Sequence, residues 1–259
     1  MGESLASFGV AIGSFTSNAI SKALVVPAIF WVWEHRLGTI PLDTPWGIIL
    51  LFLGTEFFYY WHHRASHRIR WFWLSHSVHH SGEYFNLSVA YRLGWFSSLT
   101  GAFVLFLPLN WLGFHPLAVG ATLGLNLLYQ FWIHTELVPS LGWGEWVLNT
   151  PKHHRLHHAA NPEYIDRNYG GVLIIFDRLF GTLATERPHV PVRYGLTRPV
   201  GSYNPLRIAA HEWLLLCNDA RHLPQWGDRL KLLWMPPEWS LRLKTTGITT
   251  DTAPARVKP

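Results

Sequence analysis

The 259-residue sequence contains a single cysteine, Cys217. That excludes an internal disulfide and any cysteine-ligated metal site or cluster, and it removes cysteine usage as a guide to the redox compartment. Charge is scarce too: Asp, Glu, Lys and Arg make up 14% of the chain, where an ordinary soluble domain carries about a quarter. Hydrophobic residues reach 49% and mean hydropathy is +0.10, which points to a membrane. Several catalytic signatures are missing as well. No G-x-S-x-G elbow marks a lipase of that type, and His211-Glu212 lacks the second histidine of H-E-x-x-H. With no haem-attachment motif, dinucleotide fingerprint or cytochrome-like segment, electrons for redox chemistry must come from outside the chain. There is no internal repeat, and length leaves one domain or two open.

The net charge of +5 does not read as nucleic-acid binding, because aromatic and basic residues are not interleaved in a groove-binding pattern. Nineteen of the 21 Lys and Arg lie at or after Arg64, a bias that suits contact with a membrane surface.

What is abundant is histidine. Eleven of the sixteen fall at His134 or in three clusters: His62, His63 and His67; His76, His79 and His80; His153, His154, His157 and His158. Residues three and four apart share a helix face. His63 and His67 are therefore expected to project together, as are His76 with His79 and His80, and His154 with His157 and His158. Neutral imidazoles are ligands of the borderline kind that suits Fe and Zn. A structural zinc takes four ligands, so this many histidines favour two metals. Surface histidines, helix caps or an adventitious patch account well for a lone histidine and poorly for three clusters at this spacing.

In chain order, residues 1–18 read as a mobile or interfacial lead-in without the basic start and compact apolar core of a signal peptide. The apolar stretch 20–33 is short for a span and crosses only if preceding residues join it. A second stretch, 46–61, runs into the first histidine cluster and holds Glu56, two helical turns before His63. The stretches 95–114 and 117–133 form a helical hairpin whose turn lacks Lys and Arg, which places that turn away from the cytoplasm. All clusters then converge on the cytoplasmic side. Thr150 and Pro151 open the helix of the third cluster as N-cap and first residue. Segments within 204–241 are amphipathic and hold Trp213, Trp226, Trp234 and Trp239, which suits either the membrane interface or a folded cap. The tail from Thr245 reads as disordered.

The runs EFFYYWHHRASH, WLSHSVHHSGEYFNLSVAYR, FWIHTE, TPKHHRLHH and NPEYIDRNYGGVLIIFDRLFGT resemble the fatty acid hydroxylase and sterol desaturase superfamily of integral-membrane, non-haem di-iron oxygenases. They are most similar to its alkylglycerol monooxygenase-like branch, over about residues 45–185. The resemblance implies an all-α fold: about four transmembrane helices under a cytosolic helical cap that holds the dimetal site. The corresponding partition is lead-in 1–18, membrane domain 19–185 and cytosolic or interfacial extension 186–259. Implied ligands are His63, His67, His76, His79, His80, His134, His154, His157 and His158. Many members carry a histidine pair where this chain has Gln130 and His134, so His153 or a carboxylate such as Glu136 could complete a site. His62 and His153 are implied to support neighbouring ligands. Glu56, Asn86, Asp166 and Asn168 are candidates to orient ligands or substrate, or, for the last three, simply to cap turns.

Two metals on imidazoles at a membrane boundary suit attack by activated dioxygen on an unactivated C–H bond of a lipid, since such a bond gives a general base nothing to pull on. The leading expectation is an O2-dependent di-iron lipid hydroxylase acting on an alkylglycerol, fatty acyl chain or sterol. The implied external donor is a reduced pteridine, cytochrome b5 or a ferredoxin-type protein. Desaturation is the close chemical alternative. A divalent-metal transporter, the alternative of another class, predicts ionisable residues spread along the spans, where only Glu56 stands.

Overall fold

A computed structural model of the protein describes residues 2–241. The expected disordered tail from Thr245 lies outside them. Among the described residues the structure is helical, with no strand and two isolated bridges, Leu148 with Leu173 and Ala159 with Tyr194.

Helix α1, Gly2–Glu34, is continuous through residue 18, where the sequence suggested a boundary. Its 33 residues make a rod of about 50 Å. It is the one described helix that is long and apolar enough, by length and composition, to cross a membrane. The first turns are not a loose lead-in, because a buried charge fastens them. The buried Arg92 guanidinium donates to Ser7 Oγ at 2.9 Å, Ser81 Oγ at 2.9 Å and Glu3 Oε1 at 3.2 Å. Trp95 Nε1 donates to the Val10 carbonyl at 2.9 Å.

Helix α2, Pro45–Arg68, is capped by Thr44, whose hydroxyl accepts from the Gly47 amide at 3.2 Å. It carries the apolar stretch without interruption into the first histidine cluster. The extended residue Ile69 breaks the chain into α3, Arg70–His80, which packs back on α2.

The stretch 95–114 is not one helix. It forms turns to Gly101, a 3-10 segment Ala102–Phe106 and the short helix α4, Leu107–Leu112. Polar partners distant in sequence displace the helical ladder: Ser97 and Ser98 donate to Asn18 Oδ1, Trp71 Nε1 donates to the Thr100 carbonyl, and Gly101 takes a left-handed φ of 80°. The return arm, α5, is helical over Pro116–Trp132 and capped by the His115 ring. Leu51, Leu109, Phe114 and Val119 make the core between α2, α4 and α5.

Helix α6, Pro151–His157, carries the third cluster, and α7, Ile175–Leu179, follows it. Thr150 sits at the expected cap position, but its hydroxyl meets His153 Nδ1 at 3.3 Å rather than a backbone amide. Helices α8, Pro205–Arg221, and α9, Trp226–Trp234, pack on α3. Ala6, Val10, Val78 and Ile208 form the core there. Asp219 accepts from buried Arg70 at 2.7 Å and from Arg198 at 3.2 Å, which ties this segment to the start of the second histidine helix.

Candidate metal centre

Four elements converge their histidines: the last turn and a half of α2, the second half of α3, the residue after α5, and α6 with its C-cap His158. The rings sort into two groups. His63, His67, His76, His80 and His157 form the first; His79, His134, His154 and His158 form the second. Within each group the candidate ligand atoms all lie within 4.8 Å of one another. All nine residues of the implied ligand set are in these groups, and the two groups abut, with the His80 and His158 rings stacked at 4.3 Å.

The grouping differs from the expected one. Pairs four apart stay together: His63 with His67, His76 with His80, His154 with His158. The member three along crosses over, so His79 leaves its own cluster for the second group and His157 leaves for the first. Helical geometry accounts for it: four residues advance by about 400° and three by about 300°, so the two partners diverge by nearly a third of a turn. Neighbouring helices then capture each ring on its own side.

The ring nitrogens fit metal ions. Backbone carbonyls must accept, so His63 donates Nδ1–H to Tyr169 at 2.8 Å, His134 to Gln130 at 2.7 Å and His157 to Arg167 at 2.9 Å. In each neutral ring that leaves the Nε2 lone pair facing inward, and His157 Nε2 is buried with no hydrogen-bond partner. In the first group His76 Nε2 lies 3.1 Å from His63 Nε2, 3.1 Å from His67 Nε2 and 3.2 Å from His80 Nε2. In the second, His134 Nε2 lies 3.0 Å from His154 Nε2 and 3.2 Å from His79 Nε2. Ligands about 2.1 Å from an ion and at right angles around it stand about 3.0 Å apart. Burial also keeps the rings neutral: it pulls His76, His80 and His158 well below the ordinary imidazole range, His79 to about 4 and His157 to about 3. The three rings whose tautomers the carbonyls fix present Nε2 lone pairs to neighbouring Nε2 atoms, and a cation among them would satisfy every lone pair at once.

The remaining candidates fall outside both groups. His153 faces Thr150. Glu136 accepts from the Tyr194 hydroxyl at 2.8 Å, so neither completes the second group. His62 packs against Phe106. Glu56 accepts amide hydrogens of Val172 and Leu173, both at 2.8 Å, and the Asn126 side chain at 2.5 Å, anchoring the segment before α7. Asn86 caps a 3-10 turn through Ser88 at 2.9 Å. Asn168 donates to the His153 carbonyl and exchanges two bonds with the Ala184 backbone, which steadies α6. Asp166 alone approaches a ligand candidate, with Oδ1 3.8 Å from His67 Nδ1 while it pairs with Arg68.

Two openings reach the histidines. An apolar cavity of about 770 Å³ is bounded by His63, His76, His79 and His134 and by Phe103, Phe106, Leu123 and Leu127. A much smaller cleft of mixed lining, about 50 Å³, meets the first group through His67, His80 and His157 and includes Asp166, Arg198, Glu212 and Trp73. The backbone carbonyls that set the imidazole tautomers, the hydrogen bonds of Gln130 and the cleft left no mark in residue spacing.

The fatty acid hydroxylase family model matches residues 48–182. An alkylglycerol monooxygenase from Xenopus tropicalis is 37% identical over 92% of this chain and 52% of its own length. That from Homo sapiens is 36% identical over 96% and 55%. The ornithine lipid hydroxylase OlsE of Rhizobium tropici is 29% identical over 68% and 51%. The chain thus spans about half the length of the curated relatives it matches. No solved structure matches it significantly.

Proposed function

This chain belongs to the fatty acid hydroxylase family, and from that premise we propose that it is a membrane-bound, O2-dependent lipid hydroxylase with an iron in each histidine group. The observation that carries the reading is the pair of abutting imidazole groups on the wall of an apolar cavity. Two irons bound there would supply the oxidant an unactivated C–H bond requires, in a reaction that takes O2, two electrons and two protons and leaves one oxygen atom in the lipid and the other in water.

The protein does the rest by position. The Tyr169, Gln130 and Arg167 carbonyls hold their imidazoles in the ligating tautomer. The cavity volume of about 770 Å³ is in the range of lipid-sized binding sites, and its aromatic and aliphatic walls align the chain and exclude water. An alkylglycerol is the preferred substrate, in line with the names of the most similar relatives. Protons and electrons reach the first group through the smaller cleft, on the side away from the lipid cavity. In the membrane, α1, α2, the broken 95–112 segment and α5 form four crossings, with the histidine groups and α8–α9 on the cytoplasmic side. The Lys and Arg bias after Arg64 supports that orientation.

The test is metal content by mass spectrometry on iron-supplemented, detergent-purified protein, together with turnover of an alkylglycerol under 18O2. We expect two irons per chain, loss of iron in a His79→Ala, His157→Ala double variant, and one 18O atom in the product. Absence of any bound transition metal, or product oxygen drawn from water, overturns the proposal.

A further inference from the structure

The two groups are built on one plan with one omission. Each takes rings four apart on a helix plus a single ring that crosses from the other group's cluster. The first has His63 with His67, His76 with His80, and the crossing His157. The second has His154 with His158 and the crossing His79, but from the C-terminal end of α5 it takes His134 alone. One turn earlier stands Gln130, so the second group has four imidazoles and the first has five.

Gln130 does not replace the missing ring. It is buried, and both halves of its amide are committed elsewhere. Its Nε2 donates to Asn126 Oδ1 at 2.6 Å and its Oε1 accepts from the Tyr59 hydroxyl at 3.0 Å. The network continues from Asn126 to Glu56 and on to the Val172 and Leu173 amides. Such a chain of satisfied bonds resists turning the amide toward a metal. Gln130 lines the apolar cavity with His134 and His79 of its own group and with His63 and His76 of the first.

We propose that Gln130 holds the second histidine group one protein ligand short at the wall of the lipid cavity, so that the metal of this group keeps a position for an exogenous ligand beside the substrate. The inference rests on the dimetal reading above and makes its two ions unequal: with ligands at right angles, five histidines leave one position and four leave two, so the four-histidine group is the more open to small ligands.

Cobalt(II) in place of iron reports this directly, since low-coordinate cobalt absorbs visible light far more strongly than five- or six-coordinate cobalt. We expect wild-type protein loaded with two cobalt ions to show an intense visible band that azide alters. Gln130→His should retain both ions while the intense band falls several-fold and its change on adding azide shrinks. Gln130→Leu should keep both ions, the band and the azide response, because the native amide is not a ligand. Tyr59→Phe, which removes a hydrogen bond from Gln130 alone, should behave as wild type. An unchanged band in Gln130→His, or loss of a cobalt ion in Gln130→Leu, overturns the proposal. Failure of the wild-type protein to bind cobalt at all would instead refute the dimetal reading.

Discussion

His63 reaches the first group with its Nδ1 hydrogen already committed to the Tyr169 carbonyl, and that carbonyl is itself held in place. Asp177, fully buried, accepts from the Tyr169 and Gly170 amides at 2.8 Å each and from Thr182 Oγ1 at 2.6 Å. An aspartate is needed because an acceptor-only group meets three donors there. Asp177→Asn turns one acceptor into a donor aimed at an amide. It is expected to destabilise the protein by about 1–3 kcal/mol and to weaken metal retention at the first group more than at the second. Thermal unfolding and chelator competition on site-selectively loaded protein check both parts.

At the scale of elements, the helix is the unit that pairs ligands and the helix terminus is the unit that aims them. Helix α3 supplies His76 and His80 to one group and His79 to the other, so its rotation about its own axis has to be fixed. Its first residue fixes it: Arg70 is buried against Asp219 of α8, and its amide donates to the Met235 carbonyl at 3.2 Å. Removing the carboxylate leaves a buried guanidinium without its main counter-charge. Asp219→Ala is expected to cost about 3–5 kcal/mol, read as a lower unfolding temperature in detergent, with α8 and α9 becoming protease-sensitive before the α2 and α5 region. The Arg92–Glu3 pair performs the same office for the start of α1, which is why a weakly apolar, Gly- and Ser-rich segment is an ordered helix there.

For the whole molecule the proposed ordering across the membrane is apolar helices, then histidines, then the amphipathic segment from α8 onward. Cys217, the sole cysteine, is exposed on α8 and reports that order without mutation. With α8 on the cytoplasmic side, a membrane-impermeant maleimide should label inverted vesicles and spare intact cells or right-side-out vesicles. A cysteine introduced at His115, in the turn between α4 and α5, in a Cys217→Ala background should show the reverse pattern. Labelling of both from one face would overturn the four-crossing arrangement while leaving the dimetal reading intact.

The helical class and the nine converging histidines were legible in the sequence, because both depend on identity and on a period of 3.6 residues, which are local. The same local reasoning placed His79 and His157 in the wrong company, since face-sharing on one helix says nothing of which neighbouring helix stands opposite. It read 95–114 as one helix because the partners that unwind it, Asn18 and Trp71, are distant in sequence. It kept His153 and Glu136 as completing ligands because only packed coordinates show each turned to another partner. Composition and spacing determined that this chain gathers imidazoles at the edge of an apolar body. Tertiary structure decided how they divide five and four, which carbonyl locks each ring, and that Gln130 is tied away from them, because these are properties of contacts between elements rather than of any one of them.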